Sequence, residues 1–128
     1  MKKQVAKFRF LDFRVVKSIY TSDTAKENTS SKLDVSFKFP TELKQQDGSK
    51  LFFPMDVLIE NEDKSLRIQI GIIGLFESDV DLTKEKNFIE INAPAILFPY
   101  IRAYVSALTG LSGLSPVVLP TYNMTKSR

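Results

Sequence analysis

Apolar and polar residues alternate with a period of two through most of the first 78 positions, and this pattern predicts strands. Phe8 and Phe10 alternate with Lys7 and Arg9. Phe13, Val15 and Ile19 continue that face after a phase shift at Leu11, which fits a β-bulge. The polar stretch from Thr21 to Lys32, rich in Ser and Thr, reads as a mobile loop. Leu33, Val35, Phe37 and Phe39 then share one face of a second strand, ended by Pro40. Gln46-Asp47-Gly48-Ser49 supplies a turn. A third strand puts Leu51, Phe53, Met55, Val57 and Ile59 on one face. Glu60 to Ser65 forms another turn, with Glu60, Glu62 and Asp63 as a solvated acidic patch. The fourth strand alternates Ile68, Ile70 and Ile72 with Arg67, Gln69 and Gly71, and runs on to Phe76. Short turns between successive strands predict an antiparallel meander.

The period changes after this point. Leu97, Tyr100, Ile101, Tyr104, Val105 and Leu108 recur at helical spacing. Asn92 suits an N-cap, Pro94 is tolerated in the first turn, and Gly110 is a plausible stop. Pro99 lies inside the pattern and should bend the helix or delay its regular start. The expected fold is α+β: a four-stranded antiparallel sheet with one long C-terminal helix packed on it. From Leu111 to Tyr122 the chain is irregular, punctuated by Gly and Pro, yet carries no charge. Such a segment either covers a core or presents a sticky surface, and both can hold at once.

Composition narrows the chemistry. The 128 residues fit a single domain over positions 1–128 with a real core. Cys and His are both absent. That removes disulfides, thiolate metal sites, the commonest zinc ligand and the usual neutral-pH general base. A zinc enzyme, a Cys-His protease and a Ser-His-Asp hydrolase are excluded on this ground, and no enzymatic activity is expected. Gly71-Ile72-Ile73-Gly74 and Gly110-Leu111-Ser112-Gly113 lack the spacing and Lys of a phosphate loop. Asp79, Asp81, Thr83, Glu85 and Glu90 outline a calcium loop, but Lys84 stands where its sharp turn needs Gly. No cofactor is expected. Neither a signal-peptide core nor an apolar run of about 18 residues is visible, so a cytoplasmic location without membrane insertion is expected.

The net charge is only +3, and the N-terminal arm supplies most of it: Lys2, Lys3, Lys7, Arg9, Arg14 and Lys17 against Asp12. Basic residues interleaved with Phe8 and Phe10 would suit stacking of single-stranded bases, which makes a nucleic-acid module the alternative reading. Alternation with the core side of an edge strand explains them more simply.

The run Asn92-Ala93-Pro94-Ala95-Ile96-Leu97-Phe98-Pro99-Tyr100-Ile101-Arg102 resembles the signature of the SecB export chaperones, an Ile-Leu-Phe-Pro-Tyr-x-Arg motif opening their long helix. Ile19-Tyr20-Thr21, Gly74-Leu75-Phe76, Pro116-Val117-Val118-Leu119-Pro120 and Tyr122-Asn123-Met124 are similar to further family segments, in the same order. The resemblance implies an ATP-independent holdase that assembles as a dimer of dimers. It implies unfolded polypeptide clients, either preproteins or a specific client such as an antitoxin. By resemblance, Val35 and Phe37 line the client groove. Leu114, Val117, Val118, Leu119 and Tyr122 would form its other wall. Ile68, Ile70 and Ile72 fall where oligomer contacts are sensitive. Two departures stand out. The family continues into a second helix and an acidic tail, whereas Met124 to Arg128 ends with positive charge. The family's acidic docking face for the motor SecA meets Arg67 and Gln69 here, so weak or absent SecA docking is expected.

Overall fold

The computed structural model describes residues 8–23, 32–39, 45–46 (backbone only), 50–79, 86–113 and 115–120. Its elements are β1 (Phe8–Ser22), β2 (Leu33–Lys38), β3 (Gln45–Gln46), β4 (Lys50–Asn61), β5 (Leu66–Ser78) and α1 (Lys86–Leu111). All strand pairs are antiparallel, in the order β1-β5-β4-β2, with the two-residue β3 also on β4. The four long strands and the single long helix match the expected α+β layering. The connectivity differs from the expected meander. β2, β4 and β5 follow one another through the sheet, but β1 lies beside β5, as in a Greek key. The long polar stretch after β1 frees that strand from pairing with its successor. Residues 24–31 of that stretch, Pro40 and the turn at 47–49 lie outside the described residues.

One face of the sheet is a set of apolar rows running straight across it. Phe37, Val57 and Ile70 form one row with Ser18 of β1; Val35, Ile59, Ile68 and Tyr20 form the next. Met55, Ile72 and Val15, then Leu51, Phe76 and Phe10, continue the pattern. α1 lies on this face and adds Ile89, Ala93, Leu97, Ile101 and Val105 to the core, each four residues after the last. Gly74 lies where Leu97 of α1 meets the sheet. A Cβ there would sit 2.9 Å from Leu97 Cδ2 and 2.7 Å from Phe76 Cε2, so a larger residue would force these two side chains to shift.

The register of β1 on β5 shifts by one residue at each of two irregularities. The bulge expected at Leu11 is present, and a second one falls at Val16. The second reverses the phase, so Tyr20 packs on the core and Ile19 is 47% exposed, against the expectation for Ile19. Pro54 lies between the stretches of β4 paired with β2 and with β3, and stands opposite Ile73 of β5. The β4–β5 turn is tied by buried Asn61, whose amide donates to Ser65 Oγ (2.8 Å) and whose Oδ1 accepts from Leu66 N (3.0 Å). Of the acidic residues expected to be merely solvated, Glu60 pairs with Arg67 at 3.6 Å and Asp63 accepts from Ser65 Oγ at 2.7 Å.

The helix begins at Lys86, ahead of the expected cap, and Asn92 lies inside it, donating through Nδ2 to Phe88 O (2.7 Å). Both Pro94 and Pro99 are internal. Each removes one helical hydrogen bond. The burial of Ile89 and Ala93 on the sheet compensates. Of the residues that outline a calcium loop but read better as a strand-to-helix connector, Asp81, Thr83 and Glu85 lie outside the described set, and Glu90 is buried in α1.

Candidate functional site

The sequence run from Ile96 to Arg102 holds three parts of the molecule together. Leu97 fills the space above Gly74. Tyr100 caps an aromatic group on β1, 4.6 Å from Phe13 and 5.4 Å from Phe10 by ring centroid. Arg102 donates through Nε to Leu119 O at 3.0 Å. That last bond is the end of a strap. After Gly110 the chain turns back along α1: Val117 N donates to Thr109 Oγ1 (2.8 Å), and Ser106 Oγ donates to Val117 O (2.9 Å). The side chains of the strap alternate. Leu119 is fully buried, Val117 is half-buried on the core, and Val118 is 68% exposed. The open choice between covering the core and presenting a surface is therefore divided residue by residue.

The strap and α1 enclose a shallow groove lined by Pro99, Arg102, Ala103, Ser106 and Val118. It continues an unusual helix face. Ala95, Pro99, Tyr100, Ala103, Ala107 and Leu111 are exposed, and none is charged. Beyond Lys86 the only charged residues of α1 are Glu90, which is buried, and Arg102, which is engaged by the strap. A helix on the surface of a monomer normally carries charge on its outer face. An outer face of Ala, Pro, Tyr and Leu suits contact with other apolar surface.

At the other end of the sheet, β2 places Val35 and Phe37 on the helix side, half-buried against the core. Phe37 meets Phe98 edge to face at 5.6 Å and stacks near Phe39 at 6.1 Å.

The residues expected from sequence thus separate. Val35, Phe37, Val117 and Val118 retain accessible surface. Leu119 does not: it is core, so it presents nothing to a partner. Its replacement by Ser should lower stability by about 3 kcal/mol, read as a fall in thermal melting temperature. Leu114 and Tyr122 lie outside the described residues. Ile68, Ile70 and Ile72 are corrected as interface residues: all three are buried beneath α1 within the single chain. The alternation that marked them as a face was real, but α1 covers that face.

Sequence reading missed the opposite side of the sheet. Val16, Phe52, Ile73 and Leu75, with Asp12 and Arg14, surround a groove of about 350 Å³ on the face without a helix. Phe52 is 41% exposed there. The signal was present in Phe52-Phe53, where adjacent rings must face opposite sides of a strand. The aromatic residues of β1 are engaged within the chain. Phe8 stacks on Phe76 at 4.8 Å and meets Phe88 at 5.5 Å. Arg9 pairs with Glu77 at 3.5 Å. Among the described residues no group of three or more Asp or Glu is placed to hold a metal ion, and no helix is long and apolar enough to cross a membrane.

Comparison with known proteins agrees with this geometry. The chain is similar to an uncharacterized protein of Methanocaldococcus jannaschii, 40% identical over 58 residues, which is 44% of this chain and 37% of that protein. The chain therefore matches little more than a third of that relative's length. Its fold is similar to the Rv1957 SecB-like chaperone of Mycobacterium tuberculosis, solved in complex with a ChAD peptide from the HigA1 antitoxin. The TM-score is 0.71 at 17% identity, covering 90% of this chain and 87% of that one. The family described as SecB, preprotein translocase subunit, matches residues 13–126, and the chain belongs to it.

Proposed function

We propose that this protein is an ATP-independent holdase chaperone that binds non-native polypeptide on exposed apolar surface and works as a homo-oligomer. The observation that carries the reading is the uncharged outer face of α1 together with the strap groove at Val118. Apolar burial contributes about 25 cal/mol per Å² and needs no nucleotide. Shape-tolerant apolar contact also suits varied clients. Val35 and Phe37 at one side, and Val117 and Val118 at the other, are the proposed client contacts. The outer face of α1, not the isoleucines of β5, is the proposed contact between copies in a dimer of dimers.

Two client classes fit, preproteins and an antitoxin. The peptide carried by the similar mycobacterial structure favours the antitoxin class. So does the charge on β5, where Arg67 is paired with Glu60 and Gln69 is neutral. A cationic SecA tail finds little complementarity there. The nucleic-acid reading loses support because Phe8 and Phe10 spend their ring faces on Phe76, Phe88 and Tyr100.

The test is aggregation suppression without nucleotide, using a guanidinium-unfolded test protein diluted into buffer. Wild type should suppress aggregation at near-stoichiometric amounts, and raised salt should leave the effect largely intact. Phe37→Ser combined with Val118→Ser should weaken capture roughly a hundredfold, at about 1.4 kcal/mol per tenfold. Capture unchanged in a folded double variant would remove these residues from the site.

A further inference from the structure

The sheet face without a helix carries two grooves, and the side chains along it sort by row. Lys38, Asp56, Gly71 and Lys17 stand side by side across β2, β4, β5 and β1. Toward one end lie Val16, Phe52, Ile73 and Leu75, around the groove of about 350 Å³. Toward the other lie Ser36, Leu58, Gln69 and Arg67, which with Lys17, Lys38 and Asp56 surround a second groove of about 270 Å³. The two grooves meet at Gly71. A Cβ there would sit 3.6 Å from Val16 Cγ2 of the first groove, and 3.0 Å from both Lys17 Cβ and Asp56 Oδ1 of the second. Glycine thus puts no side chain between them.

Charge on this face is uneven. Arg14, Lys17, Lys38 and Arg67 line the grooves against the carboxylates Asp12 and Asp56. Asp12 accepts from the backbone N of Phe13 at 2.8 Å, and Arg67 is paired with Glu60 at 3.6 Å. Arg14, Lys17 and Lys38 form no ion pair among the described residues, so these three cations face Asp56 alone within the grooves. Beside them Val16 is 55% exposed and Phe52 41%. Cations next to exposed apolar surface suit a ligand that carries both carboxylates and a large apolar side chain. A nucleic-acid backbone fits less well, because Asp56 stands between Lys38 and Lys17 in the row and would repel phosphate.

We infer that this face is a second docking surface, and that it takes an acidic segment of a partner protein. Carboxylates of the segment face Arg14, Lys17 and Lys38. An aromatic side chain of the segment enters the groove of Val16, Phe52, Ile73 and Leu75. Charge complementarity orients the segment, and apolar burial holds it. The surface stands apart from the holdase reading: none of these residues is among the proposed client contacts or on the outer face of α1.

The test is an NMR titration of the full chain with three Gly-Ser-flanked peptides, containing Asp-Glu-Phe-Glu-Asp, Lys-Arg-Phe-Arg-Lys or Asp-Glu-Ser-Glu-Asp. The first should shift the amide signals of Val16, Phe52, Gly71 and Ile73. It should bind about tenfold more tightly than either of the others at low salt, and raised salt should weaken it. Lys17→Gln with Lys38→Gln, both at exposed positions, should lower its affinity about tenfold. Melting temperature and aggregation suppression should stay at wild-type values in that variant. Equal binding of the acidic and basic peptides, or shifts confined to α1 and Val118, would overturn the proposal. Tighter binding of single-stranded oligothymidylate than of the acidic peptide would give the face to nucleic acid and overturn it as well. Loss of suppression in the folded double variant would merge this face with the client site, and the second surface would fall while the holdase stands.

Discussion

Ile70→Asp is expected to abolish cooperative folding, not to split an oligomer. Ile70 has no accessible surface in the single chain. It lies in the row Phe37, Val57, Ile70, Ser18, under the helix. The substitution removes an apolar side chain worth about 2–5 kcal/mol in such a position. It also places a carboxylate where its neighbours in the row, Val57 and Ser18, offer no cation, which adds several kcal/mol more. Domains of this size are stable by about 5–15 kcal/mol in total. The sum reaches that range. Circular dichroism should show no cooperative melt above room temperature, with the variant recovered mostly as aggregate. A well-folded dimer or monomer of Ile70→Asp, with near-native melting, would show that Ile70 is a surface contact after all.

The contrast between Ile70 and the helix face shows what sequence periodicity can and cannot locate. Period two in β5 identified the apolar face correctly. It carried no information on what covers that face, because one alternation serves a core and an interface equally. The choice is made by α1, whose buried positions Ile89, Ala93, Leu97, Ile101 and Val105 match that side of the sheet. The second bulge of β1 was invisible for a related reason. Val15-Val16-Lys17 is ordinary strand sequence, and only the register with Ile72 and Gly71 shows the extra residue. The helix start was missed because Asn92 and Pro94 are strong local signals for an N-terminus. Tertiary burial of Ile89 outweighs them. By contrast, the signature run was legible, and its residues have structural tasks: Leu97 over Gly74, Tyr100 on the β1 rings, Arg102 on the strap. The strap itself was legible as an apolar irregular segment. Which of its residues face inward followed only from the bonds to Thr109, Ser106 and Arg102.

Ala103→Glu should dissociate the proposed assembly while leaving the protomer folded. Ala103 is exposed, midway along the uncharged face, and lines the groove beside Val118. Glu is a good helix former, so its intrinsic cost at a solvated position is a few tenths of a kcal/mol. Between two copies the same carboxylate would be buried without a partner, which costs several kcal/mol, enough to open a modest interface. Light scattering should then report an oligomer for wild type at micromolar concentration and a smaller species for the variant, with melting of the protomer retained. Client capture should fall as well. A long unfolded chain that contacts several protomers gains about 10²–10⁴ in avidity over one site, so dissociation should weaken capture by at least about a hundredfold. Ala103→Ser, equally small and uncharged, should retain both assembly and capture. A monomeric wild type at these concentrations would remove the face of α1 as a self-association surface. A dissociated Ala103→Glu that still captures client at wild-type strength would show that a single protomer carries the whole binding site.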